Sequence, residues 1–179
     1  MKKALVSLLA LFILPSFSMA SGAPPRWQSE IISHISHQRF IEAGETITAY
    51  CVEKRVSELS DDLGLNAKKP EKDVVEKVVT IFRELRSGVT LDNKEIIKAP
   101  TGVMSTAEAI SLLANSMALA ASFGDGTIAA EDVAAGLQGA IVKDEEKDNI
   151  VWKEYINNIL KKRGESWRGL YNACKELNS

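Results

Sequence analysis

Apolar residues recur at intervals of three and four along most of this chain, the spacing of a helix with one buried face. The clearest case is EKDVVEKVVTIFRELRSG. There Val74, Val75, Val78, Phe82 and Leu85 form a stripe, acids sit at the start, Arg83 and Arg86 near the end, and Gly88 follows. Negative charge at a helix start, positive charge at its end and a closing glycine all favour the same element. Further on, Ser105 with Glu108 three residues later spells a capping box, and Ile110, Leu113, Ala114, Met117 and Ala121 continue as an apolar stripe to about Phe123-Gly124. Asp125-Gly126 predicts a tight turn, Ile128 an anchor, and Glu131-Asp132 the acidic first turn of a helix over 130–142. Two more amphipathic stretches follow. Residues 148–162 carry Val151, Trp152, Tyr155, Ile156 and Ile159, and residues 166–177 carry Trp167, Leu170, Tyr171 and Cys174.

Upstream, 29–40 places Ile31, Ile32 and Ile35 on one face, with Ala43-Gly44 as its stop. Residues 46–65 carry Tyr50, Val52, Val56, Leu59 and Leu63, with Gly64 closing. Only 89–97 breaks the helical period. Val89 and Leu91 alternate with polar residues, Asp92-Asn93 is a turn signal, and Ile96-Ile97 come shortly before Pro100, a pattern that predicts a small β-hairpin. The fold class expected is mostly α, a helical bundle with one small β-hairpin, preceded by a signal-peptide-like segment.

That segment, MKKALVSLLALFILPSFSMA, has Lys2 and Lys3, an apolar run from Ala4 to Phe17 and the small-x-small site Ser18-Met19-Ala20. The run is shorter than the ~20 apolar residues a membrane span requires, and polar sequence follows at once. Cleavage between Ala20 and Ser21 is the expectation, leaving no stable membrane span. A buried N-terminal helix or a membrane anchor is the alternative. The two cysteines, Cys51 and Cys174, have no zinc-ligand spacing. In an oxidising compartment they could form a disulfide; the alternative is two free buried thiols.

Composition then narrows the function classes. The formal net charge is −2, with acids and bases interspersed, so no nucleic-acid surface is expected. Gly-Lys-Ser/Thr is absent, and with it a phosphate-cradling P-loop. AIVKDEE at 140–146 has the outline of an apolar strand ending in metal-binding acids, but Lys143 interrupts the run and the preceding AAEDVAAGLQGA is helical. His34 and His37 lie one helical turn apart with no further histidine in the chain, and read as a solvent-facing pair. With no nucleophile and base to pair, no catalytic, cofactor-binding or metal residue is assigned.

The stretch from VEKVVTIFRELRSG through STAEAISLLANSMALAASFGDGTIAAEDVAAGL to NACKEL resembles the C-terminal part of MoxR-type AAA+ ATPases. The resemblance runs from about Val52 to Ser179, and CVEKRVSELSDDLGL resembles the segment just after that family's nucleotide-binding core. It implies a lid-like helical domain over 51–179, with 21–50 an unassigned helical or linker segment and 1–20 the signal-like segment. In the family the Walker motifs, sensor 1 and the arginine finger belong to the preceding domain, so ATP and Mg are expected only for the full-length family. The family's sensor 2 arginine falls near the start of the STAEA helix. Ala107 or a neighbour stands at that position, and no arginine occurs between Arg86 and Arg163. The implied partners are AAA+ subunits of the related ATPase. Two other readings stay open, an exported helical binding protein reusing the lid fold and a hydrolytic enzyme. The signal-like start implies an exported or periplasmic location, the family a cytoplasmic one.

Overall fold

The computed structural model describes residues 25–37, 40–62, 64, 66–92, 94–102 and 104–178. They form α1 (Pro25–Ser36), α2 (Phe40–Asp62), α3 (Lys72–Ser87), α4 (Thr106–Phe123), α5 (Ala130–Ile141), α6 (Glu145–Asn158) and α7 (Arg168–Leu177), with 3₁₀ turns at Leu160–Lys162 and Glu165–Trp167. The chain divides after Cys51 into two compact units. The mostly helical expectation holds among the described residues, where no helix is long and apolar enough to cross a membrane. The signal-like segment, with Ala20 and Ser21, lies outside them.

In the first unit Trp27, Ile31, Ala43, Ala49 and Tyr50 are buried, and the Trp27 ring meets Tyr50 edge-on at 6.0 Å. Ala43-Gly44 does not end a helix as the sequence suggested, because both residues lie inside α2. A glycine within a helix costs only about 1 kcal/mol relative to alanine. Ala43, Thr46, Ala49 and Tyr50 bury one continuous face, and that burial is the larger effect.

The second unit is a bundle in which α4 packs on α5, α5 on α7, α3 on α4 and α6 on α7. Helix α3 buries Val75, Val78, Val79, Ile81, Phe82 and Leu85, and stops where Gly88 takes φ 71° and donates its N–H to the Glu84 carbonyl at 2.9 Å. The Ser105–Glu108 capping box forms. Glu108 N–H donates to Ser105 Oγ at 3.2 Å, and Ser105 N–H to Glu108 Oε2 at 2.9 Å. The buried stripe of α4 is rotated from the expected one, with Ala109, Leu112, Leu113, Ser116, Met117 and Ala120 inside while Ile110, Ala114 and Ala121 are half-buried. This alanine-rich helix is nearly as apolar on its flanks as on its face, so partner shape sets its rotation. Gly136 of α5 admits Leu112 so closely that a Cβ would lie 2.9 Å from Leu112 Cγ, and Ser116 Oγ donates to the Asp132 carbonyl at 3.1 Å.

The expected β-hairpin is absent. Between α3 and α4 the described residues hold one antiparallel bridge, Val89 with Ile96, and no strand. Ile97 N–H donates to Gly88 O at 2.8 Å and Thr90 N–H to Glu95 O at 3.0 Å. The ladder goes no further because the Glu95 N–H, which would return a bond to the Thr90 carbonyl, donates instead to Thr90 Oγ1 at 3.1 Å. The Leu91 N–H, on the edge away from that segment, donates to the Glu84 carboxylate of α3 at 2.9 Å. Helix α6 begins at Glu145, three residues before the expected start at 148, because Asp144 caps it by accepting the N–H groups of Glu146 and Lys147, each at 3.1 Å.

Candidate functional site

Two carboxylates are fully buried in the second unit, and both act on connecting segments. Glu84, near the C-terminus of α3, has no exposure. It accepts from Tyr155 Oη at 2.5 Å, from Arg163 Nη2 at 2.6 Å to each oxygen, and from Leu91 N–H at 2.9 Å. Burial, then the Glu84 charge and hydrogen bond, push the Tyr155 hydroxyl well above the usual tyrosine range, so it stays a donor. Arg163 lies over the Trp167 ring at 4.2 Å, and Lys77 bonds both Asp73 and the Ser166 carbonyl. In this way α3 holds the connector between α6 and α7 as well as the loop after its own end.

Asp148 does the same work at the other end of α6. It accepts from Thr101 N–H at 2.7 Å, Thr101 Oγ1 at 2.8 Å, Asp144 N–H at 2.9 Å and Lys143 N–H at 3.0 Å. Burial pushes its carboxyl up, but the Asp144 and Thr101 N–H groups, the Thr101 hydroxyl and the Lys143 N–H outweigh that and bring it down to about 2.

Among the clefts on this unit, one of about 130 Å³ is lined by Val74, Ile128, Val133 and Leu170, and two are larger. One, of about 320 Å³, is walled by Glu84, Thr90, Asp92, Glu95, Lys162 and Arg163, with Lys162 Nζ donating to Glu95 at 3.0 Å. Its charges are mixed and largely paired with one another. The second, of about 410 Å³, runs between α4 and α5 over Ser111, Leu112, Asn115, Leu119, Ala135 and Gly139.

The residues singled out from sequence scatter. His37 is exposed, its ring nitrogen 2.8 Å from the Ser33 carbonyl, and His34 is half-buried. Asp144, Glu145 and Glu146 of the acidic run lie at the cap and first turn of α6. Cys51 is exposed in the first unit. Cys174 is buried in the second, its thiol pushed up to about 12 by burial. Among the described residues no group of three histidine, cysteine, aspartate or glutamate side chains could hold a metal ion. Ala107 is exposed in the first turn of α4, beside the capping box. The sequence singles out neither Glu84 nor Asp148, shows Tyr155 only as a member of an apolar stripe, and shows Arg163 only as the next arginine after Arg86. Their signal was faint: an acid on a strongly amphipathic helix, and an arginine in the polar connector KKRGESW.

The second unit is thus a helical domain whose two buried carboxylates hold connecting segments against its helices. The family model for the YehL-like AAA+ ATPase C-terminal domain matches residues 48–178, and the chain belongs to that family. No curated protein and no solved structure gives a match.

Proposed function

We propose that this chain is a lid-like C-terminal module of the MoxR-type branch of AAA+ ATPases, spanning 51–179, that does not bind or hydrolyse ATP on its own and acts by binding AAA+ subunits of the related ATPase. The observation that carries this reading is the start of α4. Where the resemblance puts the sensor 2 arginine stands Ala107 or a neighbour, and none of them is an arginine. The helix N-terminus beside it, otherwise receptive to phosphate, is already closed by Ser105 and the Glu108 carboxylate. A negative charge there opposes a nucleotide's phosphates. The absence of Gly-Lys-Ser/Thr in the sequence supports the same reading.

Calorimetry of the purified chain with MgATP tests it. No binding is expected up to millimolar nucleotide, and micromolar affinity lost on mutating a residue of this chain would overturn the reading. The signal-like start supports a second proposal, export with cleavage after Ala20. In that setting the lid fold would serve an envelope partner, and Cys51 and Cys174 would meet an oxidising compartment. Fractionation with N-terminal sequencing decides it: Ser21 as first residue is the expected result, and Met1 on a cytoplasmic product refutes export. Thiol titration of the exported protein, native and denatured, then reports whether the two cysteines pair.

A further inference from the structure

The Asp125-Gly126 turn does more than reverse the chain between α4 and α5. Residues 66–70, which lead from α2 to α3, lie against it. Lys68 N–H donates to the Gly126 carbonyl at 2.7 Å, and Lys68 Nζ donates to Thr127 Oγ1 at 2.6 Å and to Asp125 Oδ2 at 3.3 Å. One residue of the strap thus grips all three residues of the turn. The turn is shaped to receive it. Gly126 has φ 81°, and a Cβ there would stand 2.7 Å from the Asn66 carbonyl oxygen, so only glycine allows the two backbones to meet. The turn is also braced from behind: Gly124 and Gly126 N–H groups both donate to the Ala120 carbonyl at 3.0 Å, and Thr127 N–H donates to Asp125 Oδ1 at 2.9 Å.

We propose that residues 66–70 and the 125–127 turn form a latch, with Lys68 as its tongue, that fixes the direction in which α2 leaves the bundle. Among the described residues Lys68 supplies the strap's hydrogen bonds to the turn, while Asn66 and Lys69 are exposed and Pro70 is buried at the approach to α3. The strap is therefore held at two points, and opening one converts it to a free tether. The Lys68 side chain and Asp125 are both mostly exposed, so the grip is open to water and reversible. The latch does not depend on whether the domain meets nucleotide.

Hydrogen exchange on the full chain, read by mass spectrometry, tests this. In the wild type the Lys68 amide is expected to be protected. Lys68→Ala should speed exchange across 66–70 by tenfold or more while the amides of α4 and α5 keep their rates, and Lys68→Arg should restore at least part of the protection. A paired spin-label measurement between Glu58 on α2 and Ala135 on α5, both exposed positions, should show a broadened distance distribution in Lys68→Ala. An unprotected Lys68 amide in the wild type, exchange across 66–70 within twofold of wild type in Lys68→Ala, or an unchanged distance distribution would overturn the proposal. So would faster exchange spread evenly over α4 and α5, which marks general destabilisation.

Discussion

Replacing Glu84 by leucine keeps the volume at the end of α3 and removes the carboxylate on which three separate segments converge. The Tyr155 hydroxyl, buried at 1% residue exposure, then loses its acceptor, at a cost of about 1–3 kcal/mol for an unsatisfied buried donor. Arg163 loses its counter-charge. Removing one partner of a buried pair costs about 3–5 kcal/mol. Arg163 has a fifth of its side chain in solvent and can partly rehydrate, which brings its share toward the lower end. The Leu91 N–H borders the cleft and can turn to water at little cost. The whole is therefore about 3–4 kcal/mol rather than the arithmetic total, since the groups share one acceptor and their losses are not additive. For a chain of this size that is a fall in Tm of about 6–16 °C. Thermal and urea unfolding followed at 222 nm measure it, and a double-mutant cycle with Arg163→Leu isolates the pair. The double mutant should be more stable than the sum of the single losses predicts, by about 0.5–3 kcal/mol. A loss below about 1 kcal/mol for Glu84→Leu, or strict additivity in the cycle, would refute the view that this carboxylate organises the connectors.

Three further outcomes are expected. Asp148 has its folded carboxyl held at about 2, below the model-compound value of 3.8, so its stabilisation is present above about pH 4 and is lost as pH falls toward 2; urea midpoints between pH 6 and 2.5 should drop less steeply in Asp148→Asn, which is also less stable at neutral pH. Burial raises the Cys174 thiol from 9.0 to about 12, so its contribution is complete below pH 9 and lost as pH climbs through that window, and Cys174→Ala should flatten the alkaline limb of the stability profile. Met117→Asp sets an unpaired charge on the buried face of α4 and should cost several kcal/mol, seen as a lowered urea midpoint or as failure to fold, whereas Ser105→Ala at the cap should cost about 1 kcal/mol by the same measurement.

Helix locations were legible in the sequence because their signals are local. The stripe and Gly88 mark α3, Ser105 and Glu108 mark the start of α4, and Asp125-Gly126 marks the turn, each acting within a few residues of itself. The family resemblance is written in the same stretch. Where a local signal met a distant partner, tertiary structure decided. The alternation in 89–97 reads as a hairpin, yet the segment pairs through one bridge and is tied to α3 by the Leu91 N–H on the Glu84 carboxylate, and the alanine-rich face of α4 has no rotation of its own until Gly136 receives Leu112. Gly44 reads as a stop until α2 has a face to bury through it. Glu84 and Asp148 sit among ordinary surface acids in the sequence, and they become buried only because segments 7 to 79 residues away for Glu84, and up to 47 residues away for Asp148, bring donors to them. Periodicity reports how a residue lies on its own helix, whereas the fate of a polar group depends on which loops fold over that helix, and that is a property of the assembled bundle.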